Sequence, residues 1–390
     1  MRILFCTDTF LPEVNGVTTV LATMRAGLHD RGHEVFVAAP AYSGSGDGGE
    51  VGVRRLPAIP CPGYPQVRLS WPWASGLARD FDGFAPDVVH VVTEGPLGSY
   101  GRRYALQRDL PLVSSYHTDF PRYAERYLGR FAVRPTRRWL ARFHHPALMT
   151  QTPSEATRAE LLAMEIGGAV VWGRGVDAQW FHPERRSNVR RAELGAERRA
   201  LVLHVGRLAV EKDVDTLVAS FIHARHRLGD AAAFCVAGDG PRARAVRVAL
   251  PFARHLGFLD RATLANLYAD SDVFVFPSPT ETCGLVALEA LASGVPVIGA
   301  DAGGLPENVR HGLTGFLEPA GDPAAFGRRI VELVQDAEQL RLMRQAARAF
   351  AVGRDWAREL DELVVAYARL RCTATAAAAP SAWPTTTSVT

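Results

Sequence analysis

The stretch that most constrains this chain runs from Ser271 to Leu317, SDVFVFPSPTETCGLVALEALASGVPVIGADAGGLPENVRHGLTGFL. Residues 272–276 form a short β-branched and aromatic run that stops at Pro277, which predicts a buried strand. Pro277-Ser278-Pro279-Thr280 then excludes regular structure. From Gly284 to Ser293, Leu285, Leu288, Leu291 and Ala292 recur at helical spacing, and Gly294 supplies the stop. Residues 295–298 read as the next strand, and Gly303-Gly304 as the loop after it. Strand, polar loop, helix and strand make a parallel βαβ unit, whose ligands sit at the carboxyl ends of the strands. Glu281, the amides of Cys283, Gly284 and Leu285 at a helix N-terminus, and Glu289 further along the helix all fall at that edge. A helix N-terminus attracts anions, and carboxylates accept hydrogen bonds from sugar or ribose hydroxyls. Phosphate and polyol side by side point to a nucleotide sugar.

The chain has 390 residues, of which 47% are hydrophobic and 22% charged, enough to bury a large core in two domains. A formal net charge of +3 does not by itself imply nucleic acid. Of the 44 basic residues only Lys212 is lysine, which marks it for chemistry that needs a compact ammonium rather than a planar fork. Five cysteines (Cys6, Cys61, Cys235, Cys283, Cys372) show no C-x-x-C spacing, and Cys6 and Cys235 fall inside apolar strands. Packing cysteines in a reducing compartment fit that pattern. No apolar run reaches membrane-spanning length and the chain opens directly into a strand, so the expectation is a cytoplasmic protein, free or peripheral on the inner face of the membrane.

The first half has its own sheet. Residues 2–7 predict a strand, Gly16 opens a helix carrying Val17, Val20, Leu21, Met24 and Leu28, and residues 34–39 return as a second strand. The G-x-G-x-x-G fingerprint is absent, but a lone Gly16 at a helix start allows close approach to the backbone. Residues 43–50 read as a flexible loop. Further strands follow at 87–92, 112–115, 148–152 and 170–172, the second of them leading into Tyr116-His117-Thr118-Asp119. This alternation predicts an α/β domain with a parallel, doubly wound sheet over residues 1–180.

Residues 177–199 form a charged joint. The pattern restarts with a strand at 200–205, the loop Gly206 to Lys212, a helix at 214–228, a strand at 233–237, Gly238-Asp239-Gly240-Pro241 and a strand at 255–259. From Pro323 onward helices are expected at 323–336, 337–351 and 356–370. The second domain therefore spans 198–354, a terminal helix 355–371, and the Ala/Pro/Thr tail 372–390 is expected to be disordered. Asp213-Val214-Asp215 begins a helix, where carboxylates complement the macrodipole. It reads as capping, and no metal is expected.

Glu281-x7-Glu289, Arg207-x4-Lys212 ahead of it, the GDGP at 238–241 and the Gly16 loop together resemble the retaining nucleotide-sugar glycosyltransferases of family 4. The likeness runs from Met1 to about Leu370. DTFLPEVNGV, SYHTD, WGRGVD and HVGRLAVEK are similar to the branch holding bacterial GDP-mannose-dependent α-mannosyltransferases and plant sulfoquinovosyltransferases. The resemblance implies the GT-B fold, two facing Rossmann-like domains with parallel sheets and a terminal helix that crosses back to the first. It implies Arg207 and Lys212 on the diphosphate, Glu281 on the donor hexose, Glu289 on the ribose, Gly16 near the phosphates and His117 near the donor sugar. No cofactor is implied. The donor is a substrate, with GDP-mannose favoured and UDP-linked sulfoquinovose or glucose as the alternative, and the acceptor is a lipid or glycan. The base pocket is expected around Gly257-Phe258-Leu259. A glycosidase carboxylate pair would leave the Arg/Lys constellation unexplained, and so would a non-catalytic, two-lobed sugar-binding protein.

One further stretch is distinctive. RYAERYLGRFAVRPTRRWLARFHH, residues 122–145, holds seven arginines among five aromatics. Arg122, Arg126 and Arg130 recur every fourth residue beside Tyr123, Tyr127 and Phe131, and Pro135 is expected to split the run into two amphipathic segments. An anionic membrane surface would take such a stripe. No recognition module for nucleic acid accompanies it.

Overall fold

The computed structural model describes residues 1–13, 15–42, 50–61, 64–173 and 175–378. Most of the loop expected at 43–50 therefore lies outside the described residues. In chain order the first domain comprises β1 (Arg2–Cys6), α1 (Gly16–Asp30), β2 (Glu34–Pro40), β3 (Val53–Leu56), β4 (Ala58–Cys61) and β5 (Tyr64–Ser70). There follow α2 (Leu77–Phe84), β6 (Val88–Val91), α3 (Pro96–Gln107), β7 (Leu112–Ser115) and α4 (Phe120–Leu128). The domain closes with α5 (Val133–His144), β8 (Met149–Thr152), α6 (Glu155–Leu162) and β9 (Ala169–Val171). Seven strands make one parallel sheet in the order β3-β2-β1-β6-β7-β8-β9, while β4 and β5 form a separate antiparallel hairpin. The strands read as near-continuous apolar runs because helices cover both sheet faces. Val20, Leu21, Met24 and Leu28 of α1 close one face, and Leu77, Phe81, Leu97 and Tyr104 of α2 and α3 close the other.

The joint at 177–199 is charged for an inward purpose. Its short helix α7 (Asn188–Glu193) brings Arg190 to Asp270 at 2.7 Å and Arg191 to Asp272 at 2.9 Å, and Arg186 also reaches Asp272 at 2.7 Å. Asp270 and Asp272 are buried, and these guanidiniums make that burial tolerable.

The second domain runs β10 (Ala200–Val205), α8 (Val214–Leu228), β11 (Ala232–Ala237), α9 (Ala243–Ala249), β12 (Arg254–Gly257) and α10 (Arg261–Asp270). It continues with β13 (Val273–Phe276), α11 (Leu285–Ala292), β14 (Val297–Ala300), β15 (Gly315–Glu318), α12 (Pro323–Gln335) and α13 (Ala337–Val352). Its six parallel strands are ordered β12-β11-β10-β13-β14-β15. The strand expected at 295–298 starts later, at Val297: Val295 still bonds back to Ala290 of the preceding helix, and Pro296 has no N–H for the ladder. The strand expected at 255–259 ends at Gly257, whose φ of 66 turns the chain away and leaves Phe258 64% exposed. Buried Cys6 and Cys235 pack as small apolar groups, and burial holds both thiols well above the ordinary range.

The terminal helix α14 (Trp356–Ala378) returns to the first domain, burying Leu360, Leu363 and Tyr367 beside α1. A Cβ on Gly27 would stand 2.2 Å from Leu360 Cδ1, so glycine there admits the close helix crossing. Arg31 pairs with Asp361 at 2.7 Å, and buried His90 meets the Tyr367 hydroxyl at 2.6 Å. This helix corrects the tail expectation in part. It continues through Cys372 to Ala378, as a run rich in alanine favours, and the tail beyond 378 lies outside the described residues. Among the described residues no helix is long and apolar enough to cross a membrane.

Candidate active site

The loop after β10 supplies the cations. Arg207 stands one residue past the strand, after Gly206, and a single 3-10 turn, Val210–Lys212, ends where Asp213 adopts φ 51 and caps α8 by accepting from the Thr216 amide at 3.4 Å. Asp215 of the same Asp-x-Asp string pairs with Arg242 at 2.5 Å, so both carboxylates have structural roles. Lys212 Nζ instead reaches across to Glu281 on the loop after β13, forming a mostly buried ion pair. Burial alone would drive the ammonium to lose its proton. The adjacent Glu281 carboxylate outweighs that and raises the Lys212 pKa above the ordinary lysine range. Ser278 donates to the same Glu281 oxygen at 3.1 Å. Beneath the pair, buried His204 donates from Nδ1 to the Val275 carbonyl at 2.9 Å and stacks on Phe276. Burial pushes its pKa down to about 4, so it is neutral at physiological pH.

Glycines hold Glu281 in place. The Gly304 amide donates to the Glu281 carbonyl at 2.8 Å, and Gly303, at φ 61, approaches so closely that a Cβ there would lie 2.3 Å from the same oxygen. Gly284, at φ 77, then starts α11. The opposing domain meets this edge at two points. A Cβ on Gly16 would stand 3.7 Å from Leu285 Cδ1, which sets the start of α1 against the start of α11. The Thr282 hydroxyl donates to the His117 carbonyl at 2.9 Å. Gly16 and His117 therefore face Glu281, Cys283, Gly284 and Leu285 across the cleft.

Glu289 lies one turn into α11, opposite Tyr268 and Arg261 of α10. Burial raises its carboxyl to about 7, opposed by the Tyr268 hydroxyl and the Arg261 charge. Glu289 Oε2 and the Tyr268 hydroxyl, both shut off from solvent, have no hydrogen bond of good geometry. Such an acceptor suits a ligand hydroxyl. The cleft thus has a cationic section around Arg207 and Lys212, and Glu281 lies between these and Glu289 in chain order.

Three residues that the sequence reading did not assign to the site belong to this region. Glu211, 1% exposed, places Oε1 3.8 Å from Arg207 Nε. Tyr127 of α4 donates to Glu211 Oε2 at 2.6 Å from the other domain. Arg122, at the start of α4, donates to the Pro279 carbonyl at 2.7 Å. The break in the Arg-rich stretch also differs from expectation. It falls at Gly129, with φ 99, and Pro135 lies in the first turn of α5, where its missing N–H is not needed.

Comparison with known proteins agrees with this architecture. Residues 14–180 match the family described as Glycosyltransferase Family 4, and residues 199–336 match Glycosyl transferases group 1. A GDP-mannose-dependent alpha-mannosyltransferase of Mycobacterium tuberculosis is 35% identical over 95% of this chain and 97% of its own. The sulfoquinovosyl transferase of Arabidopsis thaliana is 34% identical over 77% of this chain and 60% of its own. Among solved structures, the sucrose-phosphate synthase of Thermosynechococcus elongatus superposes with a TM-score of 0.77 over 95% of this chain and 99% of its own; at 18% identity it speaks for the fold, GT-B. With the mycobacterial relative above 30% identity along nearly its whole length and both halves matched, the chain belongs to the family 4 glycosyltransferases.

Proposed function

We propose that this glycosyltransferase moves mannose from GDP-mannose to a lipid or glycan acceptor, with retention at the anomeric carbon. The observation that carries the reading is the Lys212–Glu281 pair beside Arg207, set opposite His117 at the carboxyl edges of two parallel sheets. In the free protein each of these two cations lies beside a carboxylate, Glu281 for Lys212 and Glu211 for Arg207. Donor binding exchanges the Lys212 pairing: the diphosphate takes Lys212 and Arg207, and the hexose hydroxyls donate to Glu281. Glu289 accepts the ribose hydroxyls. As the bond from the hexose anomeric carbon to phosphate oxygen breaks, the acceptor oxygen bonds to that carbon and passes its proton to the departing phosphate oxygen. The departing diphosphate gains charge, and fixed cations aimed at it are the largest available stabilisation. Two such cations stand where a metal would otherwise serve, so the reaction is proposed to run without one. The GDP-mannose-dependent mycobacterial relative favours GDP-mannose, and the plant sulfoquinovosyl transferase keeps sulfoquinovose as the second reading.

For the acceptor, we propose delivery from an anionic membrane surface along α4 and α5. Leu128 is 63% and Phe131 81% exposed there, beside the exposed guanidiniums of Arg126, Arg130, Arg134 and Arg138. Basic residues at headgroups contribute about 1 kcal/mol each. The protein would then be peripheral on the inner face of the cell membrane, with no nucleic-acid partner. A donor panel of GDP- and UDP-sugars, scored by nucleoside diphosphate release, tests the central assignment. Release from GDP-mannose is expected; turnover of UDP-sugars alone would overturn it.

A further inference from the structure

Helix α4 reads FPRYAERYL, and Tyr123 and Tyr127, four residues apart, share one face. An aromatic stripe on a helix of the first domain would ordinarily cover that domain's own sheet. Here it turns toward the second domain. The Tyr127 hydroxyl donates to Glu211 Oε2 at 2.6 Å. Arg122 ties the start of the same helix to the Pro279 carbonyl at 2.7 Å. The Glu211 backbone is held in turn, its carbonyl accepting from Thr280 at 3.0 Å.

Glu211 is an unusual place for a carboxylate. It is 1% exposed and immediately precedes Lys212. A buried carboxylate is costly unless its oxygens are engaged. One oxygen faces Arg207 Nε at 3.8 Å, and the other takes the Tyr127 hydroxyl. The hydrogen-bond donor to Oε2 is therefore supplied by the opposite domain, and only while α4 lies against the cleft. If α4 withdrew, Oε2 would lose its donor, and the carboxylate would be free to rotate toward the neighbouring cations that the donor diphosphate needs.

We propose that Tyr127 and Glu211 are positioning residues for glycosyl transfer. With the domains together, the Tyr127 hydroxyl fixes the Glu211 carboxylate, and the fixed carboxylate orients the Arg207 guanidinium toward the diphosphate. Alignment of the clamp is thereby tied to apposition of the acceptor-bearing domain. The inference rests on the reading that Arg207 holds the diphosphate. It adds a residue from the first domain that aligns Arg207 for the charge developing as the hexose leaves, without touching the donor and without setting the resting affinity for GDP.

Tyr127→Phe removes only the hydroxyl. The ring is 55% exposed, so its packing contribution is small and folding is expected to survive. The experiment compares Tyr127→Phe, Glu211→Gln, the double variant and Arg207→Ala in two assays: calorimetric binding of GDP, and turnover of GDP-mannose. Because the diphosphate binds to cations of the second domain, Tyr127→Phe should leave GDP affinity within about twofold of wild type. Turnover should fall roughly tenfold or more, as expected for loss of one hydrogen bond to a charged group. The double variant should be no slower than the slower single variant, since both act through one contact. Arg207→Ala should weaken GDP binding outright. If Arg207→Ala binds GDP less well while Tyr127→Phe turns over like wild type, the clamp stands and the positioning role is wrong. Independent, multiplying losses in the double variant would likewise overturn the coupling. Unchanged GDP affinity in Arg207→Ala would remove the clamp, and the positioning role with it.

Discussion

Replacing Glu289 by Gln separates charge from shape at the nucleotide end of the cleft. Burial holds the Glu289 carboxyl at about 7 rather than its ordinary 4.5, so the group titrates in the range where the protein works. Only the carboxylate accepts fully from two ribose hydroxyls. Protonation below pH 7 therefore weakens the donor's hold, and affinity should drop about tenfold for each pH unit below the folded pKa while the bound form stays ionised. A hydrogen bond to a charged group contributes about 1.5–3 kcal/mol, so Glu289→Gln should weaken binding at pH 8 by about 10-fold to 100-fold. Stability runs the opposite way. Because the folded pKa is raised, the folded chain binds the proton more tightly than the unfolded chain. That stabilisation is complete below about 4.5 and is lost as pH rises through about 7, at most about 3 kcal/mol in all. Without ligand, the Gln variant should melt at or above the wild-type temperature at pH 8. The assay is calorimetric titration of GDP-mannose, without acceptor, from pH 5.5 to 8.5 in wild type and variant. A wild-type affinity flat between pH 6 and pH 8, or a Gln variant that keeps the slope, would refute the reasoning.

Lys212→Ala should lower turnover by roughly 100-fold or more in a protein that still folds, with a lowered melting temperature because the mostly buried Glu281 carboxylate loses its partner; near-wild-type activity would remove Lys212 from the site. Glu281→Ala frees Lys212 from its intramolecular partner, so affinity for GDP should hold or rise while transfer is lost, and weakened GDP binding would contradict the proposed exchange of partners. Replacing Arg130, Arg134 and Arg138 by Gln should reduce cosedimentation with anionic vesicles and its salt sensitivity while sparing activity on a soluble acceptor. Arg137 is left out of that set because it lines a small cavity with Asp119 and Glu160. If the triple variant sediments like wild type, the stripe is only a solvated face.

Much of the fold could be read from sequence because parallel strands buried on both faces leave continuous apolar runs, as at Ile3–Cys6 or Val273–Phe276, and the helices between them keep their periodicity. The second-domain site residues were legible for a related reason. Arg207, Lys212, Glu281 and Glu289 each lie within a loop or first helical turns after a strand, so chain position alone puts them at one edge. What stayed hidden depends on juxtaposition across the molecule. Nothing local marks Glu211 for burial, and its hydrogen-bond donor, Tyr127, arrives from a helix 84 residues away in the chain. The arginines of the joint read as solvated charge until Asp270 and Asp272 are placed beside them. Gly129 and Pro135 compete as breakers, and Pro135 loses because a first helical turn tolerates proline while a glycine at φ 99 does not continue a helix.

The central claim is that two protein cations, without a metal, neutralise the diphosphate as hexose leaves it. Its most direct test is nucleoside diphosphate release from GDP-mannose in the presence of a chelator, measured for wild type and Lys212→Ala side by side. Undiminished release by wild type and its loss in the variant are expected. Release that requires added divalent metal, or that proceeds at the full rate without Lys212, would contradict the claim.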